Sequence, residues 1–120
     1  MVPWKTAFLL ALVLTAPGCG GKRRSVAELQ ENLKSGNEAV RIGAADELRE
    51  TSRSAAAEAV PALTQALQDQ SPYVRAAAAK ALGHIGPEAR PAAAALRKAA
   101  QDKDDGVRIA ATQALKAVGD

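Results

Sequence analysis

The sequence predicts an all-α fold, a short α-solenoid of about three antiparallel helix pairs that follows a signal peptide. Val40, Val74 and Val107 recur at nearly equal steps of about 34 residues, which is the spacing of a helical repeat array. The apolar residues around them are three and four positions apart, so helices are expected. No alternating run of β-branched residues occurs after residue 18, so no strand is expected.

Each repeat is expected to contain two helices, each with one buried face. Two sets of leucines keep the same steps as the valines, one set in the first helix of each pair and one in the second. They are Leu29, Leu63 and Leu96, and Leu48, Leu82 and Leu115. The repeat domain is predicted over residues 26–120, with units at about 26–59, 60–92 and 93–120.

The turns between the paired helices carry residues that suit a helix start. A side chain that accepts a backbone N–H recurs at one position, and a proline or a carboxylate follows it. These residues are Asn37 with Glu38, Ser71 with Pro72, and Asp104 with Asp105. Three glycines are expected to cap helix C-termini, where glycine tolerates a left-handed backbone: Gly36, Gly86 and Gly119.

Small side chains dominate the predicted core. Alanine accounts for 29 of the 120 residues and aromatic residues for only 2%. Such a core gains stability from close approach of helix backbones rather than from large buried side chains. The alanine runs at 76–79 and 92–95, together with Gly43, are expected to allow that approach.

The leader, residues 1–18, has the pattern of a secretory signal peptide. Lys5 precedes an unbroken apolar run from residue 7 to residue 14, and the small or helix-ending residues 15–18 follow. A membrane-spanning helix, the alternative, needs about 20 apolar residues, far more than this run contains. Cleaved export is therefore predicted.

Cys19 comes directly after these small residues, in the sequence Ala16-Pro17-Gly18-Cys19. The segment resembles the lipobox of bacterial lipoproteins, although Pro17 departs from that family's pattern. The resemblance implies that the Cys19 thiol receives a diacylglycerol and that the new amino terminus is acylated. The alternatives are a cleavage that leaves Cys19 as a free thiol, and an uncleaved leader. Acylation would remove the reactive thiol that an exported chain with one cysteine otherwise carries.

Residues 19–25 are expected to form a flexible basic tether, because two glycines follow Cys19. Lys22, Arg23 and Arg24 would lie close enough to a membrane to contact anionic headgroups, and a solvated linker is the alternative. The tether and leader also explain the formal net charge of +3, because residues 25–120 hold 12 basic and 13 acidic residues. The predicted repeat domain is thus close to neutral.

The stretch from Asp69 to Gly86 resembles the short HEAT repeat of bacteria, of the type called the phycobilisome-lyase HEAT-like repeat. Residues 102–119 match the same pattern through Asp102, Asp104, Val107, Arg108, Ala111, Ala114, Leu115 and Gly119. The first unit departs from the pattern at Ser35 and Ser52, as expected for a terminal repeat. The resemblance covers residues 26–120 and implies a HEAT-like solenoid.

The resemblance also implies a ladder of hydrogen bonds in which an aspartate in one turn pairs with an arginine of an adjacent unit. A bidentate arginine–carboxylate pair suits that task. The residues of the predicted ladder are Arg41, Asp69, Arg75, Asp102 and Arg108. Ligand binding by these arginines is the alternative, but recurrence in every unit favours a shared structural role.

The exposed side of the second helices is the predicted partner surface. Its candidate residues are Asp46, Glu50, Tyr73, Lys80, His84 and Gln113. His84 is expected to be a solvated surface residue rather than a catalyst or ligand. Tyr73 is expected either to contact a partner or to pack near the turn.

Together these features predict an exported lipoprotein, anchored on the periplasmic side of the cell envelope, whose HEAT-like repeats act as a protein–protein interaction or scaffold module. The expected partners are a protein and, through acylated Cys19, the membrane. No cofactor, metal, nucleic acid or small-molecule substrate is expected, because one His, one Cys and few aromatics provide too few groups for such sites. The alternative is an enzyme or enzyme accessory related to bilin lyases, an activity that some carriers of this repeat have.

Overall fold

The computed structural model describes residues 23–119, and helices dominate this part of the chain. The α-helices are α1 (Val26–Asn32), α2 (Glu38–Glu50), α3 (Arg53–Ala56), α4 (Val60–Ala66), α5 (Pro72–Ile85), α6 (Ala93–Ala99) and α7 (Asp105–Val118). Two 3-10 helices, Ala57–Ala59 and Gly86–Ala92, precede α4 and α6. No strand occurs among the described residues, and the predicted all-α class is confirmed.

The helices form three pairs that stack in one direction. The long helices α2, α5 and α7, called here the second helices, form one layer, in which α5 packs against both α2 and α7. The shorter helical segments that precede them form the other layer. Each second helix contacts the first helical segment of its own pair. This arrangement is a short solenoid, because the main contacts between units join neighbours in the stack.

The predicted boundaries between units are displaced. The first helical segment of the second unit begins at Arg53, and that of the third at Gly86, so residues 59/60 and 92/93 lie inside these segments. Ser52 caps the segment at Arg53 by accepting a hydrogen bond from the Ala55 N–H at 3.3 Å. Residues 53–59 contain no large apolar side chain, so leucine and valine spacing did not reveal their helical structure.

Leucine, valine and alanine side chains form a continuous core between the two layers. Leu29, Leu63 and Leu96 in the first layer are fully buried, as are Leu48 and Leu82 in the second. Each contributes about 1.5–3 kcal/mol through removal of apolar surface from water. Alanines fill most of the remaining core positions, which agrees with the prediction of closely approaching helices.

The predicted N-caps are confirmed for all three second helices. Asn37 accepts a hydrogen bond from the Ala39 N–H at 2.9 Å, Ser71 from Val74 at 3.4 Å, and Asp104 from Val107 at 3.0 Å. Each cap satisfies a backbone donor that the helix itself cannot.

Two of the three predicted glycine C-caps are confirmed. Gly86 and Gly119 have φ values of 80° and 86°, which side chains with a Cβ rarely adopt. The prediction for Gly36 is wrong, because α1 ends earlier, at a C-cap formed by Leu33 with right-handed helical backbone. Gly36 lies beyond that cap, with no positive φ.

Gly43 was predicted to allow two helices to approach closely, but the glycine at which two helices lie closest is Gly83. A Cβ added to Gly83 would lie 3.1 Å from the Ala114 Cα and 3.3 Å from its Cβ, whereas one added to Gly43 would meet no atom within 4 Å. The contact between α5 and α7 therefore depends on the missing side chain of Gly83.

Of the predicted flexible tether, only residues 23–25 lie within the described range, and all three contact the repeat domain. Arg23 Nη1 donates to the Glu50 carbonyl oxygen at 3.3 Å, and Arg24 Nη2 donates to Glu47 Oε2 at 2.9 Å. Ser25 forms a capping box with Glu28 at the start of α1. The repeat structure thus begins before residue 26, the boundary that the sequence predicted.

Candidate functional site

Arg41 and Asp69 link the first unit to the second. The Nε and Nη2 groups of Arg41, on α2, donate to the two carboxylate oxygens of Asp69 at 2.8 and 3.1 Å. Arg41 Nη1 donates to the Ser35 carbonyl oxygen at 2.9 Å. The arginine side chain is only 8% exposed. This is bidentate pairing across a unit boundary, the arrangement expected of the ladder.

Arg75 and Asp102 repeat the same geometry between the second and third units. Arg75 Nε and Nη2 donate to the Asp102 carboxylate at 2.8 and 3.0 Å, and Nη1 donates to the Asp69 carbonyl oxygen at 2.8 Å. Nη1 also reaches the Gln70 carbonyl oxygen at 3.2 Å. Every nitrogen of this guanidinium is therefore engaged within the protein, which favours a structural role over binding of a ligand.

Each ladder aspartate also shapes the turn in which it lies. Asp69 accepts a hydrogen bond from the Ser71 N–H, and Asp102 accepts one from the Asp104 N–H, both at 2.9 Å. Such contacts, two positions along the chain, stabilise a turn before a helix start. The same carboxylate thus holds its own turn and the neighbouring helix. Sequence reasoning missed one further link between units, a hydrogen bond from the Ser71 hydroxyl to the Glu38 carboxylate.

Arg108 shares only part of this arrangement. Its Nη1 donates to the Asp102 carbonyl oxygen at 2.8 Å, as the equivalent atoms of Arg41 and Arg75 do in their own turns. Its acidic partner is Asp105, one turn earlier on the same helix, rather than an aspartate of another unit. The Arg108 side chain is 42% exposed. Among the described residues, the ladder therefore consists of two links between units.

The Arg75–Asp102 link predicts a dependence of stability on pH. The hydrogen bonds from Arg75 lower the pKa of the Asp102 carboxyl below its ordinary 3.8, aided by the Asp104 N–H and opposed by partial burial. A lowered folded-state pKa gives stability that is present above 3.8 and is lost as the pH falls through the folded value. We expect acidification to lower the urea midpoint of the wild type more than that of Asp102→Asn. Parallel acid curves for the two proteins would contradict this role.

A groove of about 630 Å³ crosses the layer of second helices. Its walls and floor come from the C-terminal halves of α2 and α5 and from the middle and C-terminal part of α7. The residues that line it are Asp46, Arg49, Glu50, Ala79, Lys80, Gly83, His84, Ala110, Gln113, Ala114 and Ala117. Five of the six predicted partner-surface residues are among them: Asp46, Glu50, Lys80, His84 and Gln113. The helical array thus brings together side chains from all three units, which lie far apart in the sequence.

Tyr73 does not line this groove. It lies at the start of α5 and is 70% exposed, so its ring does not pack near the turn. His84 is half-buried rather than fully solvated, because its Nε2 lies 3.4 Å from the Thr51 carbonyl oxygen of the neighbouring unit. The groove also includes Arg49, which pairs with Asp46 at 3.6 Å and which sequence reasoning missed. Its position three residues after Asp46, on the same face of α2, was the available signal.

The chemistry of the groove suits contact with a polypeptide. Alanine and Gly83 make a floor without protruding side chains, so a bound segment can approach the helix backbones closely. Side chains of both charges and the amide of Gln113 surround that floor and offer hydrogen bonds. Within residues 23–119, no group of three or more His, Cys, Asp or Glu residues is arranged to hold a metal ion.

The profile of HEAT repeats matches residues 21–120, which is most of the sequence. The chain belongs to the HEAT-repeat family. HEAT repeats generally mediate protein–protein interactions, and the matched range includes the contacts of Arg23 and Arg24 that precede α1. No curated protein matches the sequence. No helix in the described part of this HEAT-repeat protein is long and apolar enough to cross a membrane.

Proposed function

We propose that this protein is an exported lipoprotein whose HEAT repeats bind another protein through the groove across the second helices. The observation that carries the binding proposal is the groove itself, which gathers polar side chains from three units over a floor of small residues. Extended surfaces of this kind suit the binding of a polypeptide segment by a repeat array. The ladder leaves the groove free for this purpose, because its arginines engage turns at the other end of the second helices.

Export and anchoring rest on the sequence of the leader. Residues 1–18 have the basic start, short apolar run and small-residue ending of a signal peptide, and Cys19 follows at once. Cys19 lies outside the described residues. Acylation of Cys19 and of the new amino terminus would supply more than one hydrocarbon chain, which is what stable membrane attachment requires. The protein would then act at the cell envelope, as an adaptor or scaffold and not as an enzyme.

Site-specific photo-crosslinking in intact cells tests this proposal. We expect a photoreactive amino acid at Gln113, in the groove, to capture a defined protein. The same group at Gln70 is the matched control, since Gln70 is exposed in a turn outside the groove. Lys80→Glu should strongly reduce the capture from Gln113, because it reverses a charge in the groove. Equal capture from both positions, or capture unaffected by Lys80→Glu, would overturn the binding proposal. The mass of the amino-terminal peptide from the same sample reports whether Cys19 is acylated.

A further inference from the structure

The contacts that precede α1 determine where the anchor meets the repeat domain. Arg23 and Arg24 bind the last turn of α2, through the Glu50 carbonyl oxygen and the Glu47 carboxylate. The Arg24 N–H also donates to Glu47 Oε1 at 3.2 Å, so backbone and side chain of this residue engage one carboxylate. The chain is therefore fixed against the C-terminal end of α2 very soon after Cys19.

The repeat pattern supports this attachment. Arg23 and Arg90 are separated by the same number of positions as Val40 and Val107, so they occupy equivalent places in the first and third units. Arg90 Nε donates to the Val118 carbonyl oxygen at 3.4 Å, at the C-terminal end of α7. Both arginines thus place a positive charge at the end of the second helix of their own unit, where the helix dipole favours a cation. The contact of Arg23 with α2 is therefore a feature that the first unit shares with the third.

The reach of the remaining segment is short. The step from Cys19 to Arg23, in fully extended conformation, spans at most about 14 Å. The second helices are 13 or 14 residues long, so their two ends are about 20 Å apart. The three second helices run in the same direction, since the ladder joins their starts and residues toward their ends line one groove. An anchor at Cys19 therefore places the edge at which the second helices end nearest to the membrane. The opposite edge, where these helices begin and the ladder lies, is called here the ladder edge, and it is farthest from the membrane.

Exposed basic side chains lie at this same edge. Arg53 lies at the start of α3, Arg90 in the segment before α6, and Lys116 in the last turn of α7. Glu50 and Glu88 are exposed there as well, while Glu47 is paired with Arg24. Guanidinium and ammonium groups on long side chains can reach headgroup phosphates once the edge is held close to them.

We propose that the repeat domain binds an anionic phospholipid surface with the edge formed by the C-terminal ends of α2, α5 and α7, held there by the docking of Arg23 and Arg24 on α2. This inference rests on the anchoring by Cys19 proposed above. It adds a second binding surface and a fixed orientation, in which the ladder edge points away from the membrane.

Fluorescence quenching in vesicles tests the orientation on the full acylated protein. Because Cys19 is the only cysteine and would be blocked by acylation, an introduced cysteine can be labelled selectively. Ser54→Cys places a fluorophore at the proposed lipid edge, and Gln101→Cys places it near the ladder. In vesicles of phosphatidylethanolamine and phosphatidylglycerol with a headgroup nitroxide quencher, we expect the Ser54 site to lose most of its fluorescence and the Gln101 site almost none. Equal quenching at both sites would overturn the inference.

Two further measurements separate the contribution of the docked tether from that of the anionic lipid. Glu47→Gln removes the charge that holds Arg24, and the quenching at Ser54 should fall toward that at Gln101; an unchanged difference would overturn the role of the docked tether. Replacing phosphatidylglycerol with phosphatidylcholine should also reduce the difference, and no change would overturn binding to anionic lipid. The mass of the amino-terminal peptide is measured first. Without acylation of Cys19 the anchoring proposal itself fails, whereas acylated protein with equal quenching contradicts the orientation alone.

Discussion

Replacing Arg75 with alanine is expected to lower the free energy of unfolding by about 3 kcal/mol, the lower end of the range for breaking a buried ion pair by removing one partner, because Asp102 is only partly buried. The substitution removes hydrogen bonds to the Asp102 carboxylate and to the Asp69 and Gln70 carbonyl oxygens. The Asp102 side chain, only 14% exposed, then keeps its charge without its arginine. Urea denaturation followed by circular dichroism measures the loss.

Arg108→Ala is the matched control for that experiment. Arg108 occupies the equivalent position in α7, but its side chain is 42% exposed and its acidic partner is on the same helix. Exposed pairs of this kind contribute about 0–1 kcal/mol, and the hydrogen bond from Arg108 to the Asp102 carbonyl oxygen adds about 1 kcal/mol, so the control should lose much less stability than Arg75→Ala. The double variant Arg75→Ala with Asp102→Ala should be less destabilised than the sum of its single variants. Equal effects of Arg75→Ala and Arg108→Ala would contradict the role assigned to the ladder.

Gly83→Leu is expected to lower the free energy of unfolding by about 1–3 kcal/mol, the usual range for overpacking. The Cβ alone would lie 3.1 Å from the Ala114 Cα, and a backbone atom cannot move aside without moving α7. The remaining leucine atoms must then separate α5 from α7, the two helices with the largest contact in the described part of the chain. Thermal and urea denaturation would measure the loss.

Gly43→Ala should have the opposite sign. Gly43 lies within α2, and a Cβ there would meet no atom within 4 Å. Replacement of an unconstrained helical glycine by alanine favours the helix by about 1 kcal/mol, so the unfolding midpoint should rise. A rise for Gly83→Leu, or a fall for Gly43→Ala, would contradict the packing described between the second helices.

The sequence predicted the parts of the fold that recur. The valine and leucine steps located all three second helices, and Asn37, Ser71 and Asp104 identified where they begin. The unit boundaries were not predictable in this way, because residues 53–59 are small or polar and the first large apolar residue of the second unit is Val60. Alanine favours a helix, but it gives no apolar period, so the start of such a segment is not visible in the pattern.

For the candidate site, the sequence could predict which residues share one face of a helix. Asp46 and Glu50 on α2, and Lys80 and His84 on α5, are each one helical turn apart, so one face carries each pair. The spacing could not show how close α5 and α7 lie, which made Gly43 and Gly83 indistinguishable until their surroundings were known. It also could not show that the arginines before α1 contact α2, because those contacts join positions far apart in the sequence.

The affinity of the protein captured from Gln113 for two charge-reversed variants tests the account most directly. Lys80 is exposed in the groove and Lys34 is exposed outside it, so Lys80→Glu and Lys34→Glu change the net charge equally. We predict that Lys80→Glu weakens binding by about tenfold or more, because like charges facing each other across an interface cost several kcal/mol. Its unfolding midpoint should stay at the wild-type value, and Lys34→Glu should bind as the wild type does. Equal affinities of the two variants would contradict the assignment of the groove as the binding site.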